Sequence, residues 1–262
     1  MIKSLPITIA EKVSEGNYKS TFRKLVMRLN RERKRNVLIS LGFGIIGILS
    51  FAQEGTYHTV QDFEAWYRLK FKYELRKDWS IGLDNQYRFI DDGRALDQGL
   101  LDLELKKKFN NGLYVALASR YTRSNDTQGN IQGWENWFRW NMDLGYKYKF
   151  DQLALSGRLR YQSRNELRID DESDRAFRFK LQADYNIKKW KWDPYLSSEI
   201  FYENGDDGFY KARFTLGTAY DWKKYGEISG FYRVEHELVG LYPKTTYILG
   251  LGYKFTLKNK KK

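Results

Sequence analysis

Hydrophobic and polar residues alternate along most of the chain after residue 60. The most regular run covers the fourteen residues 244–257, in which every second residue, including Tyr247, Leu251 and Phe255, is apolar. Apart from Ile248, the residues between them are small or polar. A period of two predicts a β-strand with one apolar face. Because a tilted strand needs only about 9–11 residues to cross a bilayer, this one is long enough to span a membrane.

The same alternation predicts ten further strands. They lie at 63–75, 79–89, 101–109, 113–121, 138–150, 153–161, 177–187, 196–202, 210–222 and 228–234. Short turns and longer polar loops connect them in alternation. Outer-membrane barrels have short periplasmic turns and longer extracellular loops. We therefore predict an all-β fold, a single transmembrane antiparallel up-and-down β-barrel.

The connections lead to a predicted strand count. Short turns are expected at 76–78, 110–112, 151–152, 188–191 and 223–225, and longer loops at 90–99, 123–134, 165–174, 203–209 and 238–243. This topology places both ends of the barrel on the periplasmic side, which requires an even number of strands. We therefore predict twelve strands, with a short additional one around residues 56–60. Ten strands is the alternative.

The amino-terminal region resembles an export signal. Arg33, Lys34 and Arg35 precede the uncharged run 37–52, which ends in Ser50-Phe51-Ala52. A basic region, an apolar core and a small-residue exit predict a signal peptide at 27–52. Residues 1–26 would then be a non-native or disordered extension, residues 53–257 the barrel and 258–262 a basic periplasmic tail. An uncleaved inner-membrane anchor is the alternative.

Composition fits a membrane barrel and restricts the expected partners. The mean hydropathy of −0.69 is low, but every second barrel residue faces the lumen and is free to be polar. The net charge is +13, yet ten Lys and Arg against three Asp and Glu lie in residues 1–52. We therefore expect no nucleic-acid partner. The expected partners are outer-membrane lipids, lipopolysaccharide and the barrel-assembly machinery, and the oligomeric state is left open.

Several short motifs are shared with a known family. They are Trp66, Trp79, Asp84-x-Gln86-x-Arg88, Arg158-x-Arg160-x-x-x-x-x-Glu166, Pro194-Tyr195-x-x-x-Glu199-x-Phe201, Arg213-Phe214-x-Leu216-Gly217 and Leu249-Gly250-Leu251-Gly252-Tyr253-Lys254-Phe255. With them the chain resembles the bacterial outer-membrane barrel family called domain of unknown function 2490 (DUF2490). The resemblance covers most of residues 60–256. It implies an outer-membrane location in a Gram-negative bacterium and brings no known activity. Such barrels often end at the final aromatic residue, whereas residues 256–262 follow it here.

The polar face of the predicted strands carries many charges. The predicted lumen residues are Arg68, Arg88, Glu104, Arg120, Arg139, Asp143, Arg158, Arg160, Arg178, Glu199, Arg213, Arg233 and Glu235. Because charges away from bulk water need partners, we expect an ion-pair network that fills a narrow, plugged lumen in a non-enzymatic protein. Arginines outnumber carboxylates in this set, so a lumen that binds or passes small anions is the alternative.

Catalysis and metal binding find less support. A lipid hydrolase, the second alternative, needs a Ser–His–acid set. His236 lies between Glu235 and Glu237, but alternation places it on the lipid-facing side. The sequence also assigns no serine to it. His58 lies before the first regular strand. The acidic loops at 91–92, 170–174 and 204–208 lack EF-hand spacing, so we predict no metal site and no cofactor.

Overall fold

The computed structural model of the protein describes residues 60–126, 132–167, 173–203 and 208–259, which form a closed all-β barrel of eleven strands. The strands are β1 (Val60–Glu74), β2 (Trp79–Ile90), β3 (Ala95–Lys108), β4 (Leu113–Asp126), β5 (Gly133–Phe150), β6 (Leu153–Glu166), β7 (Asp174–Tyr185), β8 (Trp192–Glu203), β9 (Phe209–Asp221), β10 (Glu227–Glu237) and β11 (Lys244–Lys258). A single 3₁₀ turn, Lys223–Tyr225, connects β9 to β10. Among these residues no helix is long and apolar enough to cross a bilayer. The predicted segments 1–26 and 27–52 lie outside the described residues.

The barrel closes by a parallel pair of strands. Each strand is antiparallel to its neighbour in sequence, whereas β1 and β11 run parallel from Val60 opposite Lys244 to Glu74 opposite Lys258. An odd number of alternating strands makes this unavoidable. The predicted count of twelve, and the alternative of ten, are therefore wrong. Val60, assigned to an additional strand, belongs to β1, and residues 56–59 lie outside the described chain.

The parallel closure also separates the two ends of the barrel. Strands β1 and β11 both begin at the end that carries the β10–β11 connection, so Val60 and Lys258 lie at opposite ends. The expectation that both ends of the barrel lie on one side of the membrane is therefore wrong for the described strands. That expectation required an even number of strands. The barrel instead has eleven, because β1 pairs directly with β11.

One predicted long loop is in fact a tight turn. We expected a loop at 90–99, but β3 already begins at Ala95, and four residues connect it to β2. Asp91, Asp92 and Gly93 have φ angles of 54°, 57° and 79°. Aspartate and glycine accept this left-handed conformation more readily than most residues, so the chain reverses direction within a few positions.

Burial in the barrel is inverted relative to a soluble protein. On the outer face Leu216 and Leu251 are 59% and 54% exposed, whereas on the inner face Asn141 and Glu199 are 1% and 4% exposed. Exposed aromatic side chains occur towards both ends of the strands. Examples are Phe63, Trp134 and Phe177 at one end, and Tyr73, Tyr148 and Tyr185 at the other. An apolar band between two aromatic girdles is the arrangement of transmembrane barrels.

Inward-facing aromatic rings cover glycines of the neighbouring strand. The pairs are Tyr114 with Gly145, Tyr195 with Gly217 and Phe231 with Gly250. A Cβ atom built on any of these glycines would overlap the ring. The glycine leaves room for the ring, and the ring covers backbone that would otherwise have no side chain packed on it.

We expect Gly250→Ala to destabilise the barrel by about 1–3 kcal/mol, because the new methyl group displaces the Phe231 ring from a packed position. The measurement is equilibrium unfolding of the refolded chain in lipid vesicles. Gly157→Ala is the control, since a Cβ at Gly157 would meet Leu181 at an ordinary 3.7 Å. Equal stability of the two variants would contradict the packing of Phe231 on Gly250.

Candidate functional site

The inner faces of the strands enclose a polar cavity of about 730 Å³. Of the described residues that line it, fourteen are Arg or Lys and four are Asp or Glu. A second cavity of about 340 Å³ lies towards the opposite end of the barrel from Val60 and is lined by Lys72, Lys108 and Lys254, among others. The larger volume is in the range of small-molecule sites. The side chains therefore narrow the lumen without filling it.

Most of the predicted lumen charges line this cavity. They are Arg68, Arg88, Glu104, Arg120, Arg139, Arg158, Arg160, Arg178, Glu199, Arg213 and Arg233. Glu235 also lies on the inner face, where Oε1 is 2.7 Å from Nη2 of Arg213. That these side chains act together as a functional unit stays a prediction.

One group of ion pairs runs without interruption across β5 to β8. Asp143 accepts two hydrogen bonds from Arg160, at 2.6 and 2.8 Å, and its Oδ2 lies 3.8 Å from Nη1 of Arg158. Arg158 reaches across β7 to donate to Glu199 on β8 at 2.6 Å. Arg178 on β7 donates to the same carboxylate at 3.1 Å. These side chains therefore form one connected cluster.

The cluster continues into β9 and β10. Arg213 donates to Glu199 at 3.2 Å and lies 2.7 Å from Glu235. Arg233 donates to the hydroxyl of Thr215 at 3.0 Å, and its Nη1 lies 4.0 Å from Glu235. Glu199 thus forms ion pairs with three arginines, Arg158, Arg178 and Arg213. We call the set Asp143, Arg158, Arg160, Arg178, Glu199, Arg213, Arg233 and Glu235 the ion-pair network.

Separate pairs occupy the wall formed by β1 to β4. Arg68 donates from Nε to both carboxylate oxygens of Asp84, at 2.9 and 2.8 Å. Arg120 donates to Asp102 at 2.7 Å. Glu104 lies 3.4 Å from the Nζ atom of Lys70. The first two pairs join adjacent strands and the Lys70–Glu104 pair crosses β2, so these contacts also stabilise the barrel wall.

Aromatic faces provide further contacts for the arginines. The guanidinium groups of Arg88 and Arg233 lie 3.8 and 4.9 Å from the ring centroid of Trp66. Arg178 and Arg213 lie 4.4 and 4.8 Å from the centroid of Phe201. Because a cation is attracted to the face of an aromatic ring, these contacts stabilise arginines that share a small number of carboxylates.

Several residues of this site were not among the predicted lumen charges. They are Trp66, Lys70, Asp84, Asp102, Lys106, Lys180, Phe201 and Phe231. Asp84 and Asp102 lie on the polar face that alternation defines, and the structure makes them the main partners of Arg68 and Arg120. Phe201 and Phe231 were detectable as large aromatic residues in a polar row. Their alternation with Glu199 and Arg233 was the available signal.

The histidine considered for catalysis lies outside the lumen. His236 is on the outer face of β10, where Nδ1 is 2.8 Å from the hydroxyl oxygen of Thr245. Strand geometry directs Glu235 and Glu237 to the opposite face. Among the described residues the hydrogen-bond partner of His236 is thus a threonine rather than a carboxylate or serine. His58 lies outside the described residues.

The acidic loops make local contacts where the structure describes them. Arg94 approaches Asp91 at 3.8 Å and Asp92 at 3.2 Å, and Asp174 accepts a hydrogen bond from Arg164 at 2.8 Å. Within the described ranges no group of three or more His, Cys, Asp and Glu side chains has the geometry of a metal site. Residues 170–172 and 204–207 of the predicted loops lie outside those ranges.

Comparison with known proteins gives a family match and distant structural similarity. The sequence profile of a family described as "Protein of unknown function (DUF2490)" matches residues 63–238. No curated protein matches the chain.

Three solved barrels illustrate the structural similarity. A loop L8 deletion mutant of OmpT, an outer membrane protein of Vibrio cholerae, is 15% identical, with a TM-score of 0.38 over 63% of this chain and 56% of its own. The KdgM porin is 13% identical, with a TM-score of 0.40 over 65% and 83%. The β domain of the Bordetella autotransporter BrkA is 12% identical, with a TM-score of 0.40 over 64% and 79%. This chain therefore covers only about half of the first of these structures.

Proposed function

We propose that this chain, which belongs to the DUF2490 family of proteins of unknown function, is an outer-membrane β-barrel that admits and passes small anions. The observation that carries the proposal is the charge of the cavity wall, with fourteen Arg and Lys against four Asp and Glu among the described lining residues. A passage lined by one sign of charge concentrates ions of the opposite sign.

The ion-pair network does not cancel this charge. Its three carboxylates, Asp143, Glu199 and Glu235, are shared among five arginines. Mobile anions are the simplest source of the remaining negative charge, because arginine stays protonated in proteins. Anions entering the lumen would therefore be attracted along most of the wall.

A sealed, purely structural lumen is the second candidate. It is favoured by the continuity of the ion-pair network from β5 to β10. In that case the charges hold the wall together, and the cavity does not open through the barrel. Conductance separates the two candidates, because only an open lumen carries current.

We also propose the location and partners that such a barrel requires. The exposed apolar band and its aromatic ends suit a bilayer, which supports contact with outer-membrane lipids and lipopolysaccharide in a Gram-negative bacterium. Insertion would then depend on the barrel-assembly machinery. Fractionation of bacterial membranes tests this, since recovery of the protein without detergent in the soluble fraction would contradict it.

The test of the proposed function is the reversal potential of the refolded protein in a planar bilayer under a KCl gradient. We expect the sign of the reversal potential to be that of the chloride equilibrium potential. Lys180→Gln should lower this anion preference, since Lys180 lines the cavity. Lys188→Gln, at an exposed turn, should leave it unchanged. A cation-selective current, or no current at all, would overturn the proposal.

A further inference from the structure

One arginine of the cavity wall faces other arginines on both sides. The strand register places Arg139 of β5 directly opposite Arg120 of β4 and Arg164 of β6. Like charges in this position destabilise a sheet. Arg120 donates a hydrogen bond to the nearby Asp102 at 2.7 Å, whereas Nη2 of Arg139 lies 3.9 Å from the same carboxylate. Among the described residues the carboxylate paired with Arg139, Asp102, thus lies beyond hydrogen-bonding distance.

The unused atoms of Arg139 form a defined binding edge. The residue is only 9% exposed, yet its Nε and Nη2 atoms have no hydrogen-bond partner among the described residues. These two nitrogens share one edge of the guanidinium plane. That edge binds a carboxylate or phosphate through two parallel hydrogen bonds. Arg139 also lines the cavity.

A second polar side chain lies two residues along the same strand face. Asn141 is 1% exposed, and neither its Nδ2 nor its Oδ1 has a hydrogen-bond partner within the described chain. Ala118 and Gln162 lie opposite it on the neighbouring strands, and Gln162 accepts a hydrogen bond from Arg178 at 3.3 Å. An amide offers one acceptor and two donor hydrogens. A ligand that satisfies Asn141 therefore needs a hydrogen-bond donor, such as a hydroxyl group, as well as an oxygen acceptor.

We propose that Arg139 and Asn141 form a binding site for a small hydroxylated oxyanion, an inference that rests on the proposed function and names its ligand class. The Arg139 fork would hold the acid group, and Asn141 would hold a hydroxyl group close to it. The two Cα atoms of residues spaced this way lie roughly 6.6 Å apart on one face of the strand, so a single small molecule can contact both side chains. Short hydroxycarboxylates and phosphate share this chemistry.

The test compares two probes that differ by one hydroxyl group. Lactate and propionate are titrated calorimetrically, at constant ionic strength, into the full chain refolded in detergent. We expect lactate to bind about tenfold more tightly, the effect of one additional hydrogen bond. Inorganic phosphate, which carries acid and hydroxyl groups on one centre, is the third probe. If phosphate binds more tightly than lactate, the ligand class is narrowed to phosphates. If lactate binds more tightly, the ligand class is narrowed to hydroxycarboxylates.

Two variants separate the roles of the side chains. Arg139→Gln should weaken binding of both organic probes at least tenfold, whereas Asn141→Leu should lower lactate affinity to that of propionate. Arg164→Gln is the control, because Arg164 is about half exposed and paired with Asp174 at 2.8 Å, and should retain binding. If Arg139→Gln does not fold, Arg139→Lys keeps the charge and removes the fork, so binding should still fall.

The outcomes distinguish this inference from the proposed function. Equal weakening by the Arg139 and Arg164 variants would show a diffuse basic lumen; the site would be wrong while anion passage stood. An unchanged lactate-to-propionate ratio in Asn141→Leu would overturn the role of the hydroxyl group. Absence of binding by wild-type protein that nonetheless gives an anion-selective current would reject the site alone. Absence of both would reject the site and the proposed function together.

Discussion

Glu199→Ala is expected to destabilise the barrel by about 3–5 kcal/mol, the cost of removing one partner from a buried charge cluster. Glu199 is 4% exposed and lies 2.6 Å from Arg158, 2.9 Å from Arg178 and 3.2 Å from Arg213. Without the carboxylate, three guanidinium groups face one another in a space with little solvent. The ion-pair network would lose its central member.

The matched control for Glu199→Ala is Asp174→Ala. The Arg164–Asp174 pair is similar in length, at 2.8 Å, but both side chains are about half exposed, 49% and 48%. Such pairs contribute about 1 kcal/mol or less. Thermal unfolding in detergent, followed by the shift of the folded band on a gel, measures both variants. Unchanged stability of Glu199→Ala would contradict the stabilising role of this carboxylate in the ion-pair network.

Trp66→Ala is expected to cost about 3–5 kcal/mol, the usual loss when a large buried aromatic side chain is removed. Trp66 is 4% exposed and meets Phe231 edge to face, with ring centroids 6.4 Å apart. Its face also contacts Arg88 and Arg233, at 3.8 and 4.9 Å. The truncation therefore removes both the packing against Phe231 and a neutral surface that separates two cations.

Trp66→Phe separates the packing contribution from the hydrogen bond. It keeps an aromatic face for the arginines but removes the indole N–H, which donates to Glu64 at 2.7 Å. We expect a loss of about 1 kcal/mol, typical of one hydrogen bond. Urea unfolding of both variants in lipid vesicles gives the comparison. Equal losses for alanine and phenylalanine would show that the Glu64 contact, and not the ring, stabilises this position.

The fold was predictable wherever the signal is local. Side chains alternate between the two faces of a strand, so the sequence alone separates Leu103 on the outer face from Asp102 on the inner face. The eleven segments with this alternation correspond to the eleven strands. The turn at Asn110-Asn111-Gly112 was also predictable, and Gly112 has the positive φ angle of 92° that such a turn requires.

The closure of the barrel was not predictable in this way. Pairing of β1 with β11 joins segments from opposite ends of the chain, and alternation describes each strand without naming its partner. The expectation that both ends of the barrel lie on the periplasmic side filled that gap and required an even strand count, which is wrong. The short β2–β3 turn was missed for a different reason, since the left-handed conformations of Asp91 and Asp92 are not apparent from hydrophobicity.

The same distinction applies to the lumen. Alternation identifies Arg158 and Glu199 as inward-facing, but their contact crosses an intervening strand and depends on the register of β6, β7 and β8. The position of Arg139 follows from competition among neighbours, because Arg120 already holds Asp102. No pattern within a single strand contains that information.

Closure of the lumen depends on how β1 meets β11, where a register shift of one residue would move all side chains of one strand to the other face. The chain has no cysteine, so an engineered pair tests this contact directly. Ala65 and Leu249 are register partners, and we expect Ala65→Cys with Leu249→Cys to form a disulfide in the folded barrel. The control, Ala65→Cys with Tyr253→Cys, is displaced by four residues, or about 13 Å, beyond the reach of a disulfide.

The measurement is the fraction of refolded protein that migrates as a cross-linked species on a non-reducing gel after mild oxidation. The eleven-strand closure predicts efficient cross-linking of positions 65 and 249, reversed by a reducing agent, and little for positions 65 and 253. A twelfth strand between β1 and β11 would separate positions 65 and 249. Failure of this pair to cross-link in folded protein would therefore contradict the closed barrel described above.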